Sequence, residues 1–128
     1  MEITGKLYDL RKIDKKDNVW KVLSKMCVRD WLAERTFRKL RDGLITEGEY
    51  VLYLLSCDGV PAAWGMKVKY FDRHKDFRLW LYTKPKFRKQ GLQKNHIIPY
   101  WNNKSKDGYF VSGESKRQMK TFKYVKKA

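Results

Sequence analysis

One short segment constrains the fold of this chain more than any other. Residues 81–93 read LYTKPKFRKQGLQ, which is an apolar strand end, a bend at Pro85, a basic turn with one glycine, and the start of a helix. The first amides of a helix have no partners within the helix and carry partial positive charge, so they suit an anionic phosphate. Arg88, Lys89 and Lys94 add full charges around them. The segment therefore predicts a strand, a turn and a helix that hold a diphosphate.

The rest of the chain alternates between strand and helix patterns. The expected order is a strand (3–13), one long helix or two in series (17–43), a hairpin (50–56 and 62–71) turning at Asp58-Gly59, a strand (77–82), a helix bent near Pro99, a fifth strand (108–112) and a final helix (114–125). Such alternation favours an α/β fold with a mixed central sheet. The length of 128 residues favours a single domain, 1–128.

The segment and the element order resemble the GNAT superfamily of N-acetyltransferases. That family grips the CoA pyrophosphate with a strand, a Pro-x-x-Arg-x-x-Gly-x-Gly turn and a helix. This chain matches the turn at Pro85, Arg88 and Gly91, and departs from it at Gln93, where the family carries Gly or Ala. The resemblance implies a GNAT-like mixed sheet flanked by helices. It also implies an acyl-CoA, such as acetyl-CoA, whose acyl group is transferred to an amine of an acceptor that the sequence does not identify.

The resemblance assigns the CoA contacts residue by residue. The strand end would pair with the pantetheine arm, and the turn and helix start would hold the pyrophosphate. The residues concerned are Leu81, Tyr82, Thr83, Phe87, Arg88, Lys89, Gln90, Gly91, Leu92, Gln93 and Lys94. Two interpretations of Gln93 stay open, because its side chain would either crowd a phosphate or hydrogen-bond to it.

Acyl transfer also needs a base near the amine and an acid near the leaving thiolate. No carboxylate occurs in residues 77–103, so Ser112 and Glu114 are the candidates for the base. Met119 falls where the resemblance expects a tyrosine and cannot donate a proton, so Tyr124 or, as an alternative, Tyr109 is the candidate acid. Each has a structural alternative: Ser112 or Glu114 as the cap of the final helix, and Tyr124 as an aromatic residue at the core edge.

The same resemblance implies that the last strand pair of the family is missing, because only residues 125–128 follow the expected final helix. Part of the sheet edge would then be bare. Bare edges and apolar patches are usually covered by a partner, so a homo-oligomer is expected.

The formal net charge of +16, from 30 Lys and Arg against 14 Asp and Glu, predicts attraction to polyanions. Nucleic acid, CoA phosphates and acidic proteins all qualify, and a merely solvated cationic surface is the simplest interpretation. A rival function follows: a scaffold without catalysis that binds nucleic acid or a protein partner through this surface. Trp80, Tyr82 and Phe87 alternate with cations and are candidates to stack on bases.

Composition excludes other classes. No run of about 18 uncharged apolar residues and no leader pattern is present, so we expect a soluble protein of the cytoplasm with no membrane partner. Compact basic chains of this kind resemble those that bacterial viruses encode, which would place the protein in the host cytoplasm. Cys27 and Cys57 lack metal-ligand spacing, so reduced core thiols and no metal site are expected.

Overall fold

The computed structural model describes residues 1–27, 32–69, 77–104, 108–116 and 119–126, the last two ranges by their backbone alone. The elements are β1 (Ile3–Asp9), α1 (Val19–Ser24), α2 (Leu32–Arg41), β2 (Glu49–Cys57), β3 (Val60–Lys69), β4 (Arg78–Thr83), a 3₁₀ turn (Pro85–Phe87), a π-helical turn (Gln93–Ile97), α3 (Ile98–Lys104), β5 (Gly108–Lys116) and β6 (Met119–Lys126). The six strands form one sheet in the order β1-β2-β3-β4-β6-β5.

Helices cover both faces of this sheet. Successive side chains of β2, β3 and β4 point to opposite sides, and because those on both sides are apolar, each face packs against helices. One face packs against α1 and α2, and its core includes Trp20, Leu23, Phe37, Leu52, Trp64, Met66 and Trp80. The other face packs against the helix that precedes β5, and its core includes Leu55, Leu79, Leu81, Leu92, Ile97 and Trp101. The α/β class predicted from the sequence is confirmed.

Several local predictions are also confirmed. The described part of the 17–43 segment contains two helices, α1 and α2, and Gly43 follows α2 with φ +72°. Asp17 supports the start of α1, since its Oδ1 accepts the amide of Val19 at 2.8 Å. The β2–β3 hairpin turns at Asp58 and Gly59, with φ of 50° and 80°, as a two-residue turn with two positive φ angles requires.

The end of the chain contradicts the predictions. Every strand pair of the described sheet is antiparallel, so the expected mixed sheet is wrong. The described residues of the 114–125 range belong to β5 and β6 and not to a helix, because Thr121, Phe122, Tyr124 and Val125 favour a strand and β6 pairs on both sides. Residues 117 and 118 of that range lie outside the described residues. The structure therefore has one strand more than expected, β6. β6 lies beside β4, and the described sheet ends at β1 and β5, each of which pairs on one side only. The expected homo-oligomer stays a prediction.

The helix that follows the basic turn is irregular for the reason its sequence suggests. Pro99 has no amide hydrogen, and its ring would crowd the carbonyl of Asn95 in a regular helix. The helix takes a π turn just before it, where the Ile98 amide donates to the carbonyl of Gln93, five residues back. We call the helical run 92–104 the cleft helix. It extends to Lys104.

Gly65 lets the cleft helix approach the sheet closely. A Cβ atom at Gly65 would lie 2.3 Å from Ile97 Cγ2 and 3.1 Å from Leu81 Cδ2. Both neighbours are buried, so neither side chain can swing into solvent. Only glycine at this position of β3 fits the observed packing.

We predict that Gly65→Ala lowers the free energy of unfolding by about 1–3 kcal/mol, as overpacking of a core does. Urea denaturation measures the change. Because the clash is with Ile97, the double variant Gly65→Ala/Ile97→Ala should lose less stability than the two single variants added together. Strict additivity would show that Gly65 is not in contact with Ile97.

Candidate functional site

A cleft of about 370 Å³ opens where β4 ends and the cleft helix begins. Its lining residues are Leu81, Tyr82, Thr83, Phe87, Arg88, Lys89, Gly91, Leu92, Gln93, Lys94 and Ile98. Ten of the eleven residues assigned to CoA by resemblance are among them, and Gln90 is the exception. The structure therefore gathers the predicted contacts around one opening.

The cleft exists because β4 runs past its neighbour. The β4–β6 ladder covers Arg78 to Leu81 and stops where Leu81 pairs with Lys120. On the other side, the β3–β4 ladder continues to Thr83. Tyr82 and Thr83 therefore have no pairing partner in the described part of β6, and they form one wall of the cleft.

The basic turn is held by backbone hydrogen bonds. Lys84 donates its amide to the carbonyl of Ala62 at 2.9 Å, and Phe87 donates to Lys84 at 2.9 Å. Arg88 Nε donates to the carbonyl of Thr83 at 3.0 Å, which ties the guanidinium to the strand end. These contacts fix the turn against β3 and β4.

Glycine is required at the end of this turn. Gly91 has φ +74°, and a Cβ atom there would lie 2.5 Å from Asn95 Nδ2. Sequence reasoning identified Gly91 but missed Asn95, which is four residues on and therefore on the same helical face. The absence of a side chain at Gly91 leaves the helix start open to the cleft.

The helix start is electropositive. Its first backbone hydrogen bond runs from Asn95 to Gly91 at 2.8 Å, and the amides of Leu92, Gln93 and Lys94 have no backbone acceptor within the described chain. Arg88, Lys89 and Lys94 line the same space, and no carboxylate of the described residues does. Free amides and cations without acids are the arrangement that anions prefer.

Gln93 folds back onto the sheet. Its Nε2 lies 3.0 Å from the carbonyl oxygen of Tyr82, 3.1 Å from that of Trp64 and 3.2 Å from Thr83 Oγ1. The carbonyls of Tyr82 and Trp64 fix the amide orientation, because the opposite orientation would set the amide oxygen against both carbonyl oxygens. The amide group is thus engaged with β3 and β4. Its Oε1 is buried and has no hydrogen-bond partner among the described residues.

The candidate catalytic residues lie on the last two strands. Ser112 and Glu114 are in β5, where the register with β6 shifts between Ser112 and Ser115, and no helix follows them to cap. Ser115 pairs with Lys120, which pairs with Leu81 of the cleft wall. The backbone of this part of β5 is therefore two strands away from the cleft, about 10 Å at ordinary strand spacing.

Tyr124 is farther along the sheet. It follows Lys123, which pairs with Arg78 at the opposite end of β4 from the cleft. Tyr124 is four positions beyond Lys120 in β6, a distance of about 13 Å along the strand. The structure does not bring the Tyr124 backbone to the cleft.

The aromatic residues proposed to stack on bases are inside the protein. Trp80, Tyr82 and Phe87 are 2%, 7% and 9% exposed. A nucleic acid base cannot reach the faces of such rings, so this part of the rival hypothesis is wrong.

The two cysteines are not activated as nucleophiles, because burial raises the pKa of each thiol. Cys27 and Cys57 are free, and burial, reinforced by Glu34, raises the pKa of the Cys27 thiol to about 11. A thiol with such a pKa is a poor nucleophile at neutral pH. No metal-binding group of three His, Cys, Asp or Glu side chains occurs in the described residues. Nor is any helix among them long and apolar enough to cross a membrane.

Comparison of the chain with protein-family models, with curated proteins and with solved structures returned no match. The function of the chain is therefore inferred from the geometry of the cleft.

We predict that Gln93→Glu destabilises the protein at neutral pH, by about 2 kcal/mol, because a carboxylate would replace the donor that faces three acceptors. The same repulsion raises the pKa of the new carboxyl above its unfolded value of about 4.3. The protonated form can donate, so the lost stability should return as the pH falls through that raised pKa.

Urea denaturation at pH 4 and pH 7 measures this effect. Gln93→Leu is the matched control, since its loss of the hydrogen bonds does not depend on pH. An equal penalty for Gln93→Glu at both pH values would contradict the contacts assigned to Nε2.

Proposed function

We propose that the protein binds an acyl-CoA in the cleft and transfers its acyl group to an amine. The observation that carries the proposal is the cleft itself, in which free helix amides and three cationic side chains meet a strand end, with no described carboxylate on the lining. This arrangement suits the pyrophosphate of CoA at the helix start.

The wall of the cleft fits the rest of the donor. The volume of about 370 Å³ lies within the usual range of small-molecule pockets, and its lining is partly apolar through Leu81, Phe87 and Ile98. The buried Oε1 of Gln93 has no donor among the described residues, and the pantetheine arm carries amide N–H groups. A ligand N–H at this position would remove an unsatisfied acceptor, which costs about 1–3 kcal/mol when left alone.

In the reaction proposed, the amine nitrogen attacks the thioester carbonyl, a C–N bond forms and the C–S bond breaks. The proton lost by the amine is taken up by a base, and the thiolate leaves as the thiol once it is protonated. Glu114 and Ser112 are the proposed base positions, because they lie close to Ser115 in β5. Ser115 pairs with Lys120 of β6, which pairs with Leu81 of the cleft wall. Tyr124 is left out of the proposal, because β6 carries it away from the cleft.

The acceptor is proposed from charge alone. A cationic protein repels basic peptides, so an acidic protein, a nucleotide or a nucleic acid is the favoured class of acceptor. The rival function, polyanion binding without catalysis, is supported by a different surface, which lies over α1 and α2.

We predict that Gly91→Glu abolishes binding of acetyl-CoA, because the new side chain would add a negative charge at the helix start and collide with Asn95. Isothermal titration calorimetry measures saturable one-site binding for the unchanged protein. Desulfo-CoA should bind as well, and ATP should bind more weakly, since it lacks the pantetheine arm.

Gly43→Glu is the matched control. Gly43 has nearly the same φ, +72°, but has open space around it and lies at the end of α2. It carries the same charge change and similar backbone strain, and should leave acetyl-CoA binding intact. Equal loss in both variants, or unchanged affinity in Gly91→Glu, would refute the assigned pocket.

A further inference from the structure

A second groove lies on the opposite face of the sheet. Two adjoining cavities of about 160 and 470 Å³ share Trp20, Ser24 and Arg41. Together they form a continuous groove over α1 and the C-terminal half of α2. The residues that line this α1/α2 groove are Lys15, Lys16, Asp17, Trp20, Lys21, Ser24, Cys27, Glu34, Phe37, Arg38 and Arg41.

Two acidic side chains in and beside the groove, Glu34 and Asp42, are paired with cations. Arg41 Nε lies 2.9 Å from Asp42 Oδ1, and Lys15 Nζ lies 3.9 Å from the same oxygen. Those cations hold the pKa of Asp42 below its usual range, the hydrogen bond from Arg41 being the main cause. Glu34 is 4.0 Å from Arg38. Asp42 and Glu34 are thus already neutralised by partners.

Two lysines of the groove remain unneutralised. Lys16 and Lys21 are exposed and form no ion pair with any described residue. Across the groove, five cations face the two lining carboxylates, Asp17 and Glu34. Asp17 Oδ1 is itself occupied by the amide of Val19. The excess charge is therefore presented to a ligand.

The groove has no exposed ring for stacking. Trp20 and Phe37 form its floor and are 6% and 4% exposed, and Trp20 Nε1 is bonded to the carbonyl of Asp14 at 2.9 Å. A ligand here would meet ammonium and guanidinium groups and no aromatic face. Such groups recognise phosphate oxygens, and they do so without reading bases.

We propose that the α1/α2 groove binds the sugar-phosphate backbone of nucleic acid, without sequence preference. Duplex DNA carries about one charge per 1.7 Å of axis, a density that gives counterion release on binding and that peptide acids do not match. The net charge of +16 supports such a partner over the whole surface. This inference does not depend on the proposed acyl transfer, since the groove and the cleft lie on opposite faces of the sheet.

Fluorescence anisotropy with a labelled 20-base-pair DNA duplex, titrated between 50 and 200 mM salt, tests the proposal. We expect log K to fall linearly with log salt. Lys16→Gln/Lys21→Gln should weaken binding about fivefold or more at the lowest salt. It should also reduce the salt slope by about 1.8, since each lost phosphate contact removes about 0.9.

Lys6→Gln/Lys104→Gln is the matched control, with the same charge change on β1 and at the end of the cleft helix, where each lysine only lies beside a tyrosine ring. It should change affinity less than twofold, and circular dichroism should show both double variants folded. Three results would overturn the proposal: no binding at 50 mM salt, equal weakening by both double variants, or displacement of the DNA by poly-L-glutamate as readily as by unlabelled DNA. The last result would assign the groove to an acidic protein.

Discussion

The cleft depends on two side-chain N–H groups that fasten a helix to the backbone of a sheet. Gln93 Nε2, at one end of the cleft helix, reaches the carbonyl of Trp64, and Trp101 Nε1, near the other end, donates to the carbonyl of Gly65 at 3.1 Å. These carbonyls belong to consecutive residues of β3, so the helix is held at both ends over one point of the sheet. Buried polar groups must be paired to avoid a desolvation cost, which makes this attachment specific as well as favourable. Gly65 allows the close approach, because a side chain there would meet Ile97.

The geometry of the cleft follows from this attachment. Once the helix is fixed over β3, its first turn has to begin beside the end of β4, where the β6 ladder has already stopped at Leu81. The basic turn spans the short gap, and the left-handed conformations of Lys89 and Gly91 reverse the chain there. Free amides therefore face the strand end across a cationic opening. The positive character of this opening is a consequence of how the helix is anchored, and the lysines add to it.

The sequence predicted turns and helix ends correctly, because neighbouring residues determine them. It did not predict features that depend on contacts between residues far apart in the chain. The Asp58-Gly59 hairpin, the Gly43 helix end and the turn at Gly91 are set by residues within a few positions of each other, and all three are confirmed. The end of the chain was assigned to a helix because spacing alone does not show that β6 pairs with β4, a partner some 40 residues away in sequence. The role of Gln93 was also out of reach, since its acceptors on β3 and β4 are brought to it only by the fold. The burial of Trp80, Tyr82 and Phe87 shows the same limit, because an alternation of aromatic and basic residues describes a core strand as well as a stacking surface.

Charge is distributed to two faces of the protein, and the two proposals assign each face a different phosphate ligand. A ¹⁵N-resolved NMR titration with acetyl-CoA tests the central claim, that the amides at the start of the cleft helix receive the phosphates. The account predicts saturable shifts confined to the amides of the basic turn and helix start, above all Gly91, Leu92, Gln93 and Lys94, with those of residues 15–24 unmoved. Shifts concentrated in residues 15–24, or small changes spread over the whole basic surface, would contradict it.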